Sequence, residues 1–370
     1  MDRTPATPAD VLGVPLLPPG SVTAAGNRLR GVLGRVHAAM APPPARILTA
    51  LFGMLEHRAL VLLCRAGVPD ALTRPTAIPQ LAGRLGADPV RLERLLRYAA
   101  TRGWVRLDRR GRVRPTRITA FLRADHPGGW RAWVDFAGGQ EIVAAVGALS
   151  VDEEAADGFA AVNGAPFFDW MAQHPDNWAT FDRAMGAGGR MHGLTLAAAL
   201  DWSGDRRVCD VGGGTGALLS TLLDLMPDLE GTLLDLPEVV ARAVPHPRLQ
   251  TSGGDAFAHV PEGFDTYLLV NVLHDWDDAD AVRLLTRVAQ ATGASGRVVV
   301  VEAEHTAVPR DALAVSADLL MAALTHGGRE RGTEGFVELG RTAGLRHERA
   351  VRLASGDLAH VFHPRRDRGA

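Results

Sequence analysis

The chain has 370 residues, enough for two or three domains at about 100–200 residues each. Hydrophobic residues make up 46% and charged residues 22%, and 40 basic against 42 acidic residues leave a net charge of −2. This composition excludes a mainly disordered chain and a generally basic nucleic-acid-binding protein. Every basic residue is an arginine, which excludes Schiff-base chemistry and P-loop phosphate binding because both need a lysine.

The two cysteines, Cys64 and Cys209, lie in apolar segments and are expected to be buried, so neither a disulfide framework nor a cysteine-ligated zinc site is expected. The N-terminus lacks a basic segment followed by an apolar one, and no stretch of about 18 apolar residues is evident. These features predict a cytoplasmic protein without a membrane partner.

Residues 1–44 contain eight of the 23 prolines and end in Pro42-Pro43-Pro44, which predicts an extended or irregular N-terminal arm. From Ala45 the spacing of Leu48, Leu51, Phe52 and Leu55 predicts a core helix.

A winged-helix outline follows this helix. Apolar spacing predicts a short helix at 78–85 and a second helix after Asp88 and Pro89, which suit the cap and first helical position. The turn residues 108–111, between β-rich flanks, then predict a hairpin. Helix, turn, helix and hairpin together are typical of a winged helix.

Beyond Arg207, β-rich runs alternate with helical patterns, which predicts a doubly wound parallel α/β sheet. Its first strand leads into Gly212-Gly213-Gly214-Thr215-Gly216, where missing side chains let a ligand approach the backbone. The loop alone leaves two interpretations open: binding of a nucleotide-type ligand, including NAD because Gly212-x-Gly214-x-x-Ala217 fits the dinucleotide pattern, and a plain tight turn. Asp235 and Asp255 end the next strands, where carboxylates suit ribose hydroxyls and an amine, although both residue types also occur as ordinary caps and turns.

Several collinear motifs over about residues 45–365 closely resemble the S-adenosylmethionine-dependent small-molecule O-methyltransferases of the plant caffeate/acetylserotonin type and their bacterial natural-product relatives. The motifs are Asp-Val-Gly-Gly-Gly-Thr-Gly (210–216), Leu-Asp-Leu-Pro (234–237), Gly-Gly-Asp-Ala-Phe (253–257), Val-Leu-His-Asp-Trp-Asp-Asp (272–278), a strand ending in Glu302, and Gly-Gly-Arg-Glu-Arg (327–331). The resemblance implies a helical winged-helix dimerisation domain at 45–190, a seven-stranded Rossmann-like methyltransferase domain at 191–370, and a homodimer.

The resemblance also implies site residues. His274 matches the general base, and Glu302 and Glu330 match the carboxylates that orient it. The implied cofactor-binding residues for S-adenosylmethionine and its product S-adenosylhomocysteine are Asp210, Gly212, Gly214, Asp235, Leu236, Asp255, Ala256, Phe257 and Asn271. The implied substrate-binding residues are Met185, Asp275, Leu320, Met321 and Thr325, and no metal is expected. The implied reaction is methylation of a phenolic or similar hydroxyl on a small aromatic metabolite; a diverged member would instead methylate nitrogen or carbon, or perform other chemistry.

Residues Arg91–Arg117 contain ten arginines against Glu93 and Asp108, a local charge of +8. Such a run is most often a solvated face. The two alternatives are phosphate contacts with a nucleic acid and docking of an acidic carrier protein that presents the substrate.

Overall fold

The computed structural model describes residues 7–13, 17–152, 157–309 and 312–365. Helices dominate the part of the chain before residue 200. Their bounds are α1 Pro8–Leu12, α2 Gly20–Met40, α3 Pro43–Leu51, α4 Gly53–Arg65, α5 Val68–Ala71, α6 Ile78–Leu85, α7 Pro89–Thr101, α8 Arg117–Phe121, α9 Trp130–Ala137, α10 Gln140–Gly147, α11 Gly158–Asn163, α12 Phe167–Ala172 and α13 Pro175–Ala199.

The extended conformation predicted for the arm is wrong where the structure describes it. Residues 1–6 and 14–16 lie outside the described residues, and the 21-residue α2 occupies most of the remainder. The prolines cluster at the two ends of the arm and leave residues 20–41 free of proline, so a helix forms there. Pro42 and Pro43 then begin α3, since proline suits a helix start.

The segment predicted as a core helix from Ala45 is helical, but the burial predicted for its first half is wrong. Leu48, Leu51 and Phe52 are 53%, 64% and 57% exposed, whereas Leu63 and Cys64 farther along are fully buried. No described element of the chain covers these side chains or the apolar face of α2. We call this surface the apolar belt; its exposed residues are Val22, Leu29, Val32, Leu33, Val36, Met40, Ile47, Leu48, Leu51, Phe52, Met54 and Leu55.

The expectation that no stretch is apolar enough to cross a membrane is also wrong by length and composition. The run Pro43–Arg65 has 23 residues and a mean hydropathy of 1.7 over its most apolar window, which is 22% buried. Its four charged residues lie toward its ends and middle, so an 18-residue stretch that contains the leucines is still apolar enough to cross a membrane.

The winged-helix prediction is confirmed. A small antiparallel sheet of β1 Thr76–Ala77, β2 Val105–Leu107 and β3 Arg112–Pro115, in the order β1-β3-β2, packs against α6 and α7. Asp88 caps α7, its carboxylate accepting a hydrogen bond of 2.8 Å from the Arg91 amide. The buried side chains of Leu81, Leu96 and Val113 form the core of this unit with Leu63 of α4.

The remaining elements form the predicted α/β domain. Strands are β4 Arg207–Val211, β5 Glu230–Asp235, β6 Leu249–Gly253, β7 Thr266–Val270, β8 Arg297–Glu302, β9 Leu345–Arg352 and β10 Leu358–Pro364. Helices are α14 Ala217–Leu225, α15 Pro237–Val240, a 3-10 turn Leu273–Asp275, α16 Asp278–Thr292, α17 Ala312–Leu324 and α18 Thr333–Thr342.

The seven strands lie in the order β6-β5-β4-β7-β8-β10-β9, parallel except for β10, which is antiparallel to β8 and β9. The direction of winding reverses between β4 and β7, and ligands of doubly wound sheets bind where the carboxyl ends of such strands part. The α/β fold class is therefore confirmed, and its topology places a site beside the loop after β4.

Helices α9–α13 cover this end of the sheet, a packing that sequence patterns did not resolve. Phe136, Phe159, Phe167 and Phe181 meet edge to face, with ring centroids 5.1–6.4 Å apart. We call these rings and their apolar neighbours the aromatic cluster. Helix α13 runs without a break across the predicted domain boundary at 190/191, which stays a prediction.

Candidate active site

The glycine loop joins β4 to α14 in a backbone path that suits glycine. Gly212, Gly214 and Gly216 have φ of +69°, +61° and +75°, the left-handed region that disfavours other side chains. A Cβ on Gly212 would also lie 3.0 Å from Val272. The loop therefore brings main-chain atoms close to the gap between β4 and β7.

Two predicted cofactor residues, Asp210 and Asp235, hold carboxylates beside this loop. Asp235 accepts hydrogen bonds from the amides of Gly214 (2.8 Å) and Leu236 (2.7 Å). Asp210 is 1% exposed, and its Oδ2 has no hydrogen-bond partner among the described residues. Burial, followed by the neighbouring charge of Asp235, raises the pKa of Asp210 to about 7. Such acids fit a ligand that brings hydrogen-bond donors and positive charge, as S-adenosylmethionine does.

The other predicted cofactor residues line the same edge of the sheet. Asp255 follows β6 and is exposed, and its carboxylate accepts a 2.9 Å hydrogen bond from the Phe257 amide. Ala256 and Phe257 are partly buried against the core beside β7, and Leu236 packs on the aromatic cluster. Asn271 has φ of +54°, an uncommon value for a residue with a side chain. The fold thus brings these residues to one edge, and their roles in binding stay predictions.

The His274 side chain lies between the carboxylates of Glu302 and Glu330. Its Nδ1 is 3.1 Å from an oxygen of each, and its side chain is 15% exposed. The other oxygen of Glu302 accepts hydrogen bonds from the amides of Val272 (3.0 Å) and Leu273 (2.8 Å). Because Nδ1 faces acceptors, it carries the proton in the neutral ring, which leaves the Nε2 lone pair free to accept one.

Burial by itself would lower the pKa of His274, but the charge of Glu302 and the close contact of the Nδ1–H donor with both carboxylates raise it well above its usual value. Burial raises the pKa of Glu330, which the histidine counters in part. On the Nε2 side, Asp275 Oδ1 is 3.7 Å away, and burial raises the pKa of Asp275 to about 6. His274 is therefore more basic than a free imidazole, and acidic side chains lie on both sides of its ring.

Arg331 is a functional candidate that the sequence analysis did not assign, although it ends the quoted motif 327–331. Its 4% exposed side chain donates to the carbonyl oxygens of Leu273 (2.8 Å) and Trp276 (2.7 Å) and to Asp278 (2.9 Å). It thereby holds both ends of the turn that carries His274. The sequence signal that points to Arg331 is the second arginine next to Glu330 in this motif. Its guanidinium, once buried, needs several acceptors, and the His274 turn provides them.

Asp318 of α17 was also missed; its Oδ1 accepts a 2.8 Å hydrogen bond from the Glu330 amide. Nothing in the sequence pattern distinguishes this aspartate from any other acid on a helix.

His274, Glu302 and Glu330 together offer ligand atoms that suit a cation. One atom each of His274, Glu302 and Glu330 lie within 4.8 Å of one another. Imidazole and carboxylate are common ligands of divalent metals. The expectation that no metal is used therefore stays a prediction.

The predicted substrate residues lie around the aromatic cluster and the base. Met185, Leu320 and Met321 pack on the aromatic cluster. Thr325 donates its hydroxyl to the Met321 carbonyl (2.9 Å). A Cβ on Gly328 would collide with this hydroxyl and lie 2.6 Å from the His274 carbonyl oxygen, so Thr325 is close to the base. Their contact with a substrate stays a prediction.

The arginines of 91–117 are partly neutralised. Asp108 pairs with Arg112 (3.0 Å) and Arg114 (3.1 Å), Glu56 pairs with Arg102 (2.9 Å), and Glu93 is 3.9 Å from Arg97. A shallow, open groove of about 490 Å³, lined by Arg94, Arg97, Tyr98, Thr101 and Leu107, lies on this face rather than at the His274 site. Both partner alternatives for the basic face stay untested.

Comparison with known proteins shows the family to which the chain belongs. The family model of the O-methyltransferase domain matches residues 147–346, and that of the O-methyltransferase dimerisation domain matches residues 48–124. The mitomycin biosynthesis 6-O-methyltransferase of Streptomyces lavendulae is 32% identical over 348 residues, covering 88% of this chain and 95% of its own.

An 8-amino-8-demethylriboflavin N,N-dimethyltransferase of Streptomyces davaonensis is 34% identical over 245 residues, covering 63% of this chain and 71% of its own. Among solved structures, the S-adenosylhomocysteine-bound CalO1, a methyltransferase of calicheamicin biosynthesis, has a TM-score of 0.78 at 30% identity and covers 88% of this chain and all of its own. The chain therefore belongs to the O-methyltransferase family and is an S-adenosylmethionine-dependent methyltransferase.

Proposed function

We propose that this enzyme methylates a phenolic hydroxyl of a small aromatic natural product, with His274 as the general base. The observation that carries this proposal is the placement of His274 Nδ1 at 3.1 Å from both Glu302 and Glu330, which leaves Nε2 available. Two relatives from Streptomyces are named for methylating aromatic compounds, 3-amino-4-hydroxybenzoate and 2,7-dihydroxy-5-methyl-1-naphthoate, which supports the substrate class.

The residues of the chain divide the work as follows. His274 Nε2 accepts the proton of the substrate hydroxyl, while Glu302 and Glu330 stabilise the imidazolium that forms. The aromatic cluster, with Met185 and Met321, provides an apolar surface on which an aromatic ring packs and from which water is excluded. Bound S-adenosylmethionine would supply the electrophilic methyl group. Transfer of this methyl group to the substrate oxygen, with the sulfur as the leaving group, would give a methyl ether and S-adenosylhomocysteine, and His274 would hold the proton.

The residues around the glycine loop support the cofactor assignment, since the buried orphan oxygen of Asp210 suits a cationic ligand. Titration with S-adenosylmethionine, S-adenosylhomocysteine, NAD and NADP tests it. Micromolar binding of the first two alone is expected, and binding of a nicotinamide cofactor instead would overturn it.

Matched acceptors test the base. We expect activity on hydroxyarenes and a loss of about 10²–10⁴-fold in kcat for His274→Gln, the usual worth of a general base. An arylamine of the same shape tests nitrogen methylation, the reaction named for one relative. Amine methylation that persists in His274→Gln would favour this second function, because an amine carries its own lone pair.

We further propose that two copies of the chain pair through the apolar belt. A patch of this extent is rarely left in water, and the dimerisation-domain match at 48–124 includes Leu48, Leu51 and Phe52. This arrangement would also bury the apolar run Pro43–Arg65.

A further inference from the structure

The basic face, residues 91–117, lies outside the site described above and carries more positive charge than its own acids neutralise. Six of its ten arginines are exposed and have no side-chain hydrogen bond or ion pair within the part of the chain that the structure describes: Arg91, Arg94, Arg106, Arg109, Arg110 and Arg117. The Asp108 carboxylate is already shared by two other arginines, and Glu93 lies 3.9 Å from a third. The unpaired charges repel one another, so this face is complementary to a polyanion.

Two elements of the basic face border one open groove. Its lining residues are Arg94, Arg97, Tyr98 and Thr101 of α7 and Leu107 of β2. Arg91 and Arg94 lie on the outer side of α7, whereas Leu92 and Leu96 of the same helix are buried against α4 and α6. Because Leu107 directly precedes the hairpin turn 108–111, the tip of the hairpin lies at the edge of the groove.

The hairpin tip carries Arg109 and Arg110 and is braced by its own backbone. The Asp108 carboxylate accepts hydrogen bonds from the amides of Arg110 (2.9 Å) and Arg112 (3.0 Å), and Gly111 closes the turn with φ of +69°. These contacts hold the turn before any ligand arrives, so binding costs little backbone entropy. The tip therefore presents two unpaired guanidinium groups from a fixed backbone.

The arrangement of these elements suits a nucleic-acid duplex. Helices α6 and α7 are separated by three residues, 86–88, as in a helix-turn-helix unit, and β2 and β3 form the wing. The 13 residues of α7 span about 20 Å, and a single helix fits the major groove of a duplex, which is about 12 Å wide. A hairpin beside such a helix lies near the sugar–phosphate backbone, where planar guanidinium groups match phosphate oxygens.

Two other occupants fit this face less well. A second copy of the chain, paired through this face across a twofold axis, would place like charges against each other. An acidic carrier protein would have to deliver its tethered substrate to His274, but the groove is lined by α7 and β2, whereas helices α9–α13 cover the candidate active site. The observations therefore favour a duplex.

We propose that the basic face binds double-stranded DNA through its phosphate backbone, without sequence preference. In this arrangement α7 lies along the major groove, and Arg91 and Arg94 contact the phosphates that border it. Arg109 and Arg110 at the hairpin tip contact the adjacent backbone. This function is separate from methyl transfer, since it uses none of the candidate catalytic or cofactor-binding residues.

Fluorescence anisotropy with the full-length protein tests the proposal. The probe is a labelled DNA duplex of mixed sequence and about 21 base pairs, two helical turns, titrated at several salt concentrations. A single strand of the same sequence and an acidic acyl carrier protein are titrated in parallel. The helix variant is Arg91→Gln/Arg94→Gln, and the wing variant is Arg109→Gln/Arg110→Gln. The matched control, Arg346→Gln/Arg349→Gln, removes two exposed arginines of β9.

We expect the wild type to bind the duplex with a Kd of about 1–100 μM near physiological salt. The logarithm of its association constant should fall with the logarithm of the salt concentration with a slope of about −4, since four contacted phosphates contribute about −0.9 each. Each of the helix and wing variants should weaken binding by about tenfold or more and make the slope shallower by about 2. The control should match the wild type, and all variants should keep their methyl-transfer activity and melting temperature because they alter exposed side chains.

Absence of duplex binding, binding that does not depend on salt, or equal losses in the control variant would overturn the proposal. Tighter binding of the single strand or of the carrier protein than of the duplex would do the same. If the helix variant fails to fold, the wing variant and the salt slope decide. Loss of S-adenosylmethionine binding or of methyl transfer in the wild type would contradict the function proposed above and leave this test unaffected.

Discussion

The apolar side chains of the apolar belt and those of the large sheet have opposite surroundings. Val298–Val301 of β8 are fully buried between helices, whereas Leu48, Leu51 and Phe52 face outward. The candidate active site next to β8 is formed within one chain, since Glu302 and Arg331 hold the His274 turn by hydrogen bonds. The difference shows that the side chains of the large sheet are buried within one chain, whereas the apolar belt needs the surface of another molecule to be buried.

The largest expected effect lies in the region completed by its own fold. His274→Gln should lower kcat by about 10²–10⁴-fold, while the dimer and the affinity for S-adenosylhomocysteine stay unchanged. Light scattering and calorimetry provide these two controls. Full activity of the variant would contradict the general-base assignment.

Disruption of the apolar belt should act on assembly first. The variant Leu48→Arg/Phe52→Arg replaces one exposed leucine and one exposed phenylalanine by arginines, whose charges a subunit interface would have to desolvate. We expect the dimer dissociation constant to rise by at least about 100-fold, measured by sedimentation. Arg28→Glu/Arg35→Glu on the polar side of α2 is the control. A monomeric wild-type protein would contradict the proposal that two chains pair through the apolar belt.

Loss of the Arg331 contacts should misplace the base without removing it. Arg331→Met leaves the carbonyls of Leu273 and Trp276 without donors, and we expect kcat to fall by roughly tenfold or more with a smaller change in KM. Arg331→Lys and added guanidinium should restore part of the rate. Arg329→Met, which removes an exposed neighbour, is the control; equal losses in both variants would exclude a specific role.

The pH profile should follow His274. Since its pKa is raised and only the deprotonated ring accepts a proton, kcat/KM should fall up to tenfold per pH unit below that pKa. Glu330→Gln removes a negative charge that raises this pKa, so the acidic limb should move to lower pH. A shift to higher pH in the variant would contradict the proposed electrostatics.

The smallest effect is expected on the basic face. Arg109→Gln/Arg110→Gln should leave methyl transfer to a free acceptor and the melting temperature nearly unchanged, because surface charges contribute little. Retention of DNA or of an acidic carrier protein by the wild type but not the variant would show that this face binds a partner.

Local patterns were sufficient for much of the fold. The cap at Asp88, the hairpin around Asp108, the strand 207–211 and the loop glycines were predicted because neighbours in sequence dictate these features. The extended conformation predicted for the proline-rich arm was wrong because the prolines lie at the two ends of the arm and leave room for α2 between them. The candidate base His274 and its two glutamates were proposed from motif resemblance, but the 3.1 Å contacts between them were not visible there.

The sequence by itself determined the periodic elements, the missing lysines and the order of the motifs, since these depend on nearby residues or on composition alone. Tertiary structure decided which leucines are buried and which arginine holds the His274 turn. The contacts of Arg331 join residues more than 50 positions apart. Long-range packing sets these contacts, and no local pattern carries that information.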